Sequence, residues 1–381
     1  MSTVDEFRLP GVIHFGWAAV ERTGEEAARL GGRALLVTGR SAMKRTGWTD
    51  RVQSLLSAAG VEVVLFNEVE SDPSVTTVDR AAGVARDESC ELVVGLGGGS
   101  AMDAARAVAA MAVLEGSILD YVRGRAIDRP GLPLINVAST AGTASEITPV
   151  AVILDEEREL KVGVKSPYWF AQAAITDPEL TLAMSPELTA ATGLDALTHA
   201  IESYLSTRAT APSEALALRA VELIGGSLRA AFADGTDRQA RERMALGSML
   251  AGMAFANSGL GLVHGLVHPI GARFGLAHGL GCGRLLPHVM RYNQPAVEDK
   301  LAAVGRALTG KESAGADDAV AAVEALLTDL QVPSGIADID IADEQMPGIA
   351  KDGLLAGAVK TNPRAVDEED ARRVLEAARK G

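Results

Sequence analysis

The hydrophobic pattern of this chain changes period once, and that change divides it into two parts of different architecture. From the start to about residue 184, short β-branched runs alternate with Ala-rich amphipathic segments, the pattern of βαβ units and a parallel sheet covered by helices. The spacing predicts strands at Val12–Phe15, Ala34–Thr38, Val61–Phe66, Leu92–Leu96, Leu134–Ala138 and Val150–Leu154, with helical segments such as 24–30, 50–59 and 77–87 between several of them. After ITDPELTLAM the two-residue period ceases, and Ser185-Pro186-Glu187 supplies an N-cap, a proline in the first turn and an early acid. An Ala/Leu stripe at helical spacing then predicts helices over 186–206, 212–232, 237–256, 259–272, 295–308, 316–329 and 366–379. The expected organisation is an α/β domain over residues 1–184 followed by an all-helical domain over 185–381.

Length agrees with two cores, because 381 residues exceed what a single core comfortably holds. A net charge of −14 and the lack of a long Lys/Arg run argue against a nucleic-acid partner. Cys90 and Cys282 are too few for a disulfide framework and too far apart for a cysteine-type zinc site, which fits a reducing compartment. The N-terminal MSTVDEFRLPG lacks the basic and apolar regions of a signal peptide, and no stretch of about 18 apolar residues suggests a membrane span. A cytoplasmic location is expected, without membrane association.

Three loops in the first half are candidates for a nucleotide. In ELVVGLGGGSAMDAARA an apolar run ends at Leu96, Gly97, Gly98 and Gly99 follow, and a helix begins for which Ser100 is the expected N-cap with Asp103 as its partner. Such glycines let a diphosphate approach the N–H groups and the positive end of a helix. The spacing is not GxGxxG, so no standard Rossmann fingerprint is present. The second loop, Ser139-Thr140-Ala141-Gly142-Thr143-Ala144-Ser145-Glu146, follows LPLINVA, and its hydroxyls are suited to hydrogen-bond a cofactor beyond the strand end. The third lies after RALLVT, where a carboxylate usually grips the ribose 2′-OH of NAD. Here the residues are Gly39, Arg40 and Ser41, with no acid among them. That predicts NADP(H) in preference to NAD(H).

The helical half carries a concentration of imidazoles. Four of the six histidines, His264, His268, His278 and His288, fall within residues 257–293, and His199 lies upstream in GLDALTHAIESY. His264 and His268 are four residues apart, as are Asp195 and His199, so each pair shares one helix face. Two such helices can close around one divalent ion; the alternative is core histidines satisfied by backbone carbonyls. Cys282 reads as a small buried hydrophobe, and Phe255 as core or pocket wall.

Taken together, GGGSAMDAARA, STAGTASEIT, GLDALTHAIESY and GLVHGLVHPIGARFGLAHG, with KVGVKSP and TDPEL, resemble the iron-containing (group III) alcohol dehydrogenase family over nearly the whole chain. The resemblance implies the dehydroquinate synthase-like fold, an N-terminal α/β dinucleotide-binding domain plus an all-α C-terminal domain, with an active site in the cleft between them. It places Asp195, His199, His264 and His278 at metal-ligand positions, His268 at a proton-relay position near the substrate, and Lys161 near the nicotinamide. Gly39 stands where NAD-preferring members carry Asp, Arg106 replaces a usual Lys, Ala144 a frequent Gly, and Asp72, also a cofactor position, a frequent Asn.

Three imidazoles and a carboxylate suit a borderline divalent ion, and the donor set does not separate Fe²⁺ from Zn²⁺; the resemblance favours iron. The implied reaction is hydride transfer between the nicotinamide and a small alcohol, aldehyde or ketone, in a homodimer or higher homo-oligomer. A glycerol dehydrogenase-like zinc enzyme on the same scaffold is the nearest rival. A metal-dependent hydrolase is the rival from another class, and it leaves the glycine loop unexplained.

Overall fold

A computed structural model describes residues 6–380. The chain forms two compact units, Leu9–Ala183 and Met184–Gly381, the second joined by the described residues up to Arg8. Arg8 belongs there because its N–H donates to Asn257 Oδ1 at 2.7 Å, while Asn257 Nδ2 donates back to its carbonyl.

The first unit is built on eight strands: β1 (Val12–Phe15), β2 (Arg33–Gly39), β3 (Glu62–Val69), β4 (Leu92–Gly97), β5 (Leu134–Ala138), β6 (Val150–Asp155), β7 (Leu160–Lys165) and β8 (Ala173–Thr176). Six form one all-parallel sheet in the order β1-β8-β5-β4-β2-β3. Side-chain alternation explains why it must be covered on both sides: along β2, Ala34 and Leu36 join one apolar cluster, and Leu35 and Val37 another. Every residue of β4 and β5 is buried, as central strands require. β3 is an edge, and its exposed Glu62 and Glu68 discourage further pairing.

The segment from Val150 departs from the expected parallel strand. β6 pairs antiparallel with β7 in a separate two-stranded sheet. Its alternating burial is the mark of a ribbon with one covered face, which a parallel interior strand would not show. The sheet position next to β5 is taken instead by β8, a four-residue strand not predicted from the pattern.

The second unit is helical, and the helix Pro186–Leu205 is its centre. Ser185 Oγ accepts from Leu188 N–H at 3.2 Å to start it, with Pro186 in the first turn. Every residue from Gly193 to Leu205 is buried, by packing against Ala211–Gly225, Arg238–Ser258 and His278–Thr309. That last helix begins well before the predicted 295–308, at His278, and kinks at Val297, two residues after Pro295. Among the described residues no single helix is long and apolar enough to cross a membrane.

Candidate active site

The predicted nucleotide loops follow β2, β4 and β5, which are neighbours and parallel, so their carboxyl ends share one sheet edge. Register brings Gly97 opposite Ala138 and Thr38 opposite Leu96. The strand order also reverses direction between β2 and β4, the kind of switch point at which open α/β sheets bind ligands.

Two glycines of the first loop are demanded by geometry. Gly97 has φ +148°, and a Cβ on Gly99 would lie 2.9 Å from Thr143 Cγ2, so the glycine loop and the second loop pack directly together. Gly98 faces Thr140 in the same way. The start of the following helix differs from the expected capping box. Gly98 is the N-cap, Ser100 sits inside the first turn donating to the Ser71 carbonyl, and Asp103 is turned into the protein. Asp103 accepts from Ser145 Oγ at 2.6 Å and Val152 N–H at 2.9 Å and pairs with Arg106 at 3.1 Å, which occupies both its oxygens.

Arg106 is itself 1% exposed. Its guanidinium donates to the Trp169 carbonyl (3.1 Å), the Val150 carbonyl (2.7 Å), Ser145 Oγ (3.1 Å) and the Ser145 carbonyl, besides Asp103. One fork thus fixes the second loop against the glycine-loop helix and β6. Within that loop Ser139 N–H donates to the Gly97 carbonyl at 2.9 Å, and Thr143 Oγ1 accepts from Ser145 N–H. Ala144 has φ +48°, a left-handed conformation that glycine adopts without penalty. Beside it, burial pushes the Glu146 carboxyl up to about 7, against the pull of a hydrogen bond from Thr176 and of Arg106.

The remaining predicted cofactor residues lie at the surface. Arg40 Nε donates to the Glu68 carbonyl at 3.3 Å, Ser41 is exposed, and a Cβ on Gly39 would meet only the Val69 carbonyl oxygen, at 3.6 Å. Lys161 pairs with Asp72 at 2.9 Å.

In the helical unit the acid and three of the histidines converge. Asp195 Oδ1 lies 3.8 Å from His199 Nε2, 3.7 Å from His264 Nε2 and 3.6 Å from His278 Nε2. The residues come from three helices: Asp195 and His199 from Pro186–Leu205, His264 from Leu262–Phe274, and His278 from the first position of His278–Thr309. Gly279 permits the third approach, since a Cβ there would collide with the Ala191 carbonyl. Phe255 stacks on the His199 ring, centroids 4.4 Å apart, and His199 stacks on His264 at 4.6 Å. Asp195 Oδ1 is buried with no hydrogen-bond partner, a costly arrangement unless a cation completes it.

The donor geometry fits one divalent ion. Four N/O donors held tetrahedrally at about 2.1 Å from a common centre stand ~3.4 Å apart, near the 3.6–3.8 Å at which the three imidazole nitrogens stand from Asp195 Oδ1. Among the described residues the donor atoms that all lie within 4.8 Å of one another are those of Asp195, His264, His278 and Cys282, with His199 outside that set. Burial opposes ionisation of Asp195, but the surrounding imidazoles, His199 first, hold its carboxyl well below the usual range. The fourth histidine of the cluster, His268, lies one turn beyond His264, half-buried, its ring 5.3 Å from that of His278. His278 is the ligand candidate open to solvent, its side chain 40% exposed against 4–6% for the other three. His288 is buried away from this set.

Two residues at the site had no functional role in the sequence reading. Cys282 Sγ lies 3.6 Å from His278 Nε2 and 3.8 Å from His264 Nε2, and its i+4 spacing from His278 was the available signal. Glu202 meets the far side of His264, and its signal was a third polar residue at i+7 from Asp195 on the same helix.

Family models cover both units: iron-containing alcohol dehydrogenase over residues 10–178, and the C-terminal part of the Fe-containing alcohol dehydrogenase family over 189–379. The chain belongs to the iron-containing alcohol dehydrogenase family. It is 38% identical to long-chain-alcohol dehydrogenase 1 of Geobacillus thermodenitrificans (strain NG80-2), over 97% of this chain and 95% of that protein. The NAD-dependent methanol dehydrogenase of Bacillus methanolicus is 34% identical over 98% of this chain and 99% of its own length. A crystal structure of a 1,3-propanediol oxidoreductase superposes with a TM-score of 0.95 at 36% identity, covering 99% of this chain and all of that one. Membership implies oxidoreductase chemistry with a divalent metal and a nicotinamide cofactor, and it accounts for the α/β unit that a hydrolase reading leaves idle.

Proposed function

We propose that this protein is a metal-dependent alcohol dehydrogenase and aldehyde reductase that exchanges hydride between NADP(H) and a small alcohol, aldehyde or ketone. The observation that carries the reading is the convergence of three imidazole nitrogens on one unpartnered buried carboxylate oxygen. Asp195, His199, His264 and His278 would hold the ion, Fe²⁺ by family and Zn²⁺ acceptably by donor type. Bound there, the ion supplies a Lewis acid that lowers the pKa of a substrate alcohol or polarises a carbonyl. The nicotinamide cofactor, its diphosphate held at the glycine loop, would supply the hydride acceptor or donor.

The chain's own residues supply cofactor binding, positioning and proton transfer. Gly97, Gly98 and Gly99 present backbone N–H groups at a helix start to the diphosphate, while Ser139, Thr140 and Thr143 offer hydroxyls beside it; Ser145 and Asp103 hold that loop in place. Lys161, paired with Asp72, stands for the nicotinamide end. His268 carries the proton, its half-buried imidazole standing 5.3 Å from that of the solvent-open His278. His268→Ala is expected to lower kcat by roughly 10²-fold and to alter its pH profile while metal content stays stoichiometric. An unchanged rate and profile would remove the relay role.

The NADP(H) preference rests on Gly39, Arg40 and Ser41, where no carboxylate competes with a 2′-phosphate. Initial rates at 340 nm with NADPH and NADH, on protein loaded separately with Fe²⁺ and Zn²⁺ under anaerobic conditions, test function and preference together. The expected outcome is turnover of short aldehydes with kcat/KM higher for NADPH, and a loss of about tenfold or more for NADPH alone in Gly39→Asp, through charge repulsion. Equal or better use of NADH by the wild type would overturn the preference. No oxidation of either nucleotide would overturn the function.

A further inference from the structure

The helix Pro186–Leu205 brings a third buried polar residue to the metal cluster, one that does not face the ion position. Asp195, His199 and Glu202 lie at i, i+4 and i+7, on one stripe of that helix. Glu202 is 5% exposed. Its Oε2 lies 2.6 Å from His264 Nδ1 and accepts from Gly261 N–H at 3.0 Å, while Oε1 accepts from Val263 N–H at 2.7 Å. Gly261 is the N-cap of the helix Leu262–Phe274 and has no side chain with which to cap it. The carboxylate therefore caps the helix that carries His264 and holds the His264 ring at the same time, with its charge at the positive end of the helix. The N–H of Leu262, between those of Gly261 and Val263, donates to Asn362 Oδ1 at 3.2 Å.

We propose that Glu202 is the positioning residue of the metal site: it fixes His264 as the Nδ1–H tautomer and thereby sets how tightly the site holds its ion. An ionised carboxylate can only accept, so the ring nitrogen facing it carries the proton. Nε2 is then left with its lone pair, and Nε2 is the atom 3.7 Å from Asp195 Oδ1. The charged acceptor also makes the imidazole a stronger donor to a metal, and its two backbone bonds prevent the ring from swinging away. One helix thus provides two ligands and the support of a third. The inference rests on the metal-ligand reading proposed above.

The test compares Zn²⁺ affinity, by competition with a chromophoric chelator, in the wild type and Glu202→Gln. Glutamine keeps the size, but its NH₂ group faces either the ring or the helix N–H groups, so one of the carboxylate's acceptor roles is lost. A 10- to 100-fold weaker Zn²⁺ affinity is expected, with a changed d–d spectrum in the Co²⁺ form and a metal-free melting temperature close to that of the wild type. Should the variant not fold, the wild type decides: ¹⁵N-histidine correlation spectra of the Zn²⁺ form should show His264 protonated at Nδ1 and metal-bound through Nε2. Affinity within threefold of wild type, or a His264 ring protonated at Nε2, would overturn the role of Glu202. A wild type that binds neither Zn²⁺ nor Co²⁺ would instead sink the metal-site reading itself.

Discussion

Asp195→Asn is expected to strip the site of its metal and to lower kcat/KM by on the order of 10³-fold, because Lewis-acid assistance is worth several kcal/mol and each 1.36 kcal/mol is tenfold. Asparagine preserves the shape and removes the charge, so the comparison isolates electrostatics from packing. Asp195 is the only acid among the four ligand candidates, and its Oδ1 lies within 3.8 Å of all three Nε2 atoms. Without it a divalent ion would meet three imidazoles and no anionic ligand, so its desolvation would be poorly compensated. Glu202 cannot substitute, since its oxygens are committed to His264 and to the N-terminus of the next helix. Metal analysis of the purified variant, together with rates after Fe²⁺ or Zn²⁺ reconstitution, gives the answer. Stoichiometric metal and activity within tenfold of wild type would mean that the carboxylate does not hold the ion.

The centre of the sheet was readable from sequence because a strand buried on both faces is a continuous apolar run bounded by glycine or polar residues. LINVA and LVVGL are such runs, and both are central strands. β6 deceived for the complementary reason. Its composition is equally β-branched, and only its partner across the 156–159 turn makes it a ribbon outside the main sheet. The helix from His278 was hidden by Gly279, Gly281, Gly283 and Pro287, residues of poor helix propensity, of which Gly279 and Gly283 let it lie against Pro186–Leu205 and Gly281 against Val267 and Leu276. Spacing likewise paired His264 with His268, both on one helix, whereas the residue brought to Asp195 from beyond the Gly275 turn is His278. Glu202 stood in plain view three residues after His199, but its partners lie 59 to 62 residues further on, a separation at which single-sequence periodicity carries no information.

Asp103 and Arg106 show the same limit in the other unit, and they carry the largest expected effect on stability. Read locally, Asp103 completes a capping box and Arg106 is one more charge on an Ala-rich helix; in the fold the buried Arg106 and the largely covered Asp103 form a pair that joins three segments. Arg106→Met is expected to destabilise the protein by about 3–5 kcal/mol, since removing one partner leaves Asp103 as a largely covered charge without its cation and several carbonyls without donors. For a unit of this size that corresponds to a fall in melting temperature of roughly 6–20 °C. Arg106→Lys should fall between, because one ammonium with three N–H groups cannot reach Trp169, Val150 and Ser145 together as the planar fork does. The loop that Arg106 fixes packs on the glycine turn through Thr140 and Thr143, so the lysine variant should also show a raised KM for the nicotinamide nucleotide. Differential scanning calorimetry and nucleotide KM measured on the same preparations separate the two effects. A melting temperature within 2 °C of wild type for Arg106→Met would show that the buried fork is dispensable, and that the cofactor loops are held by their glycine contacts alone.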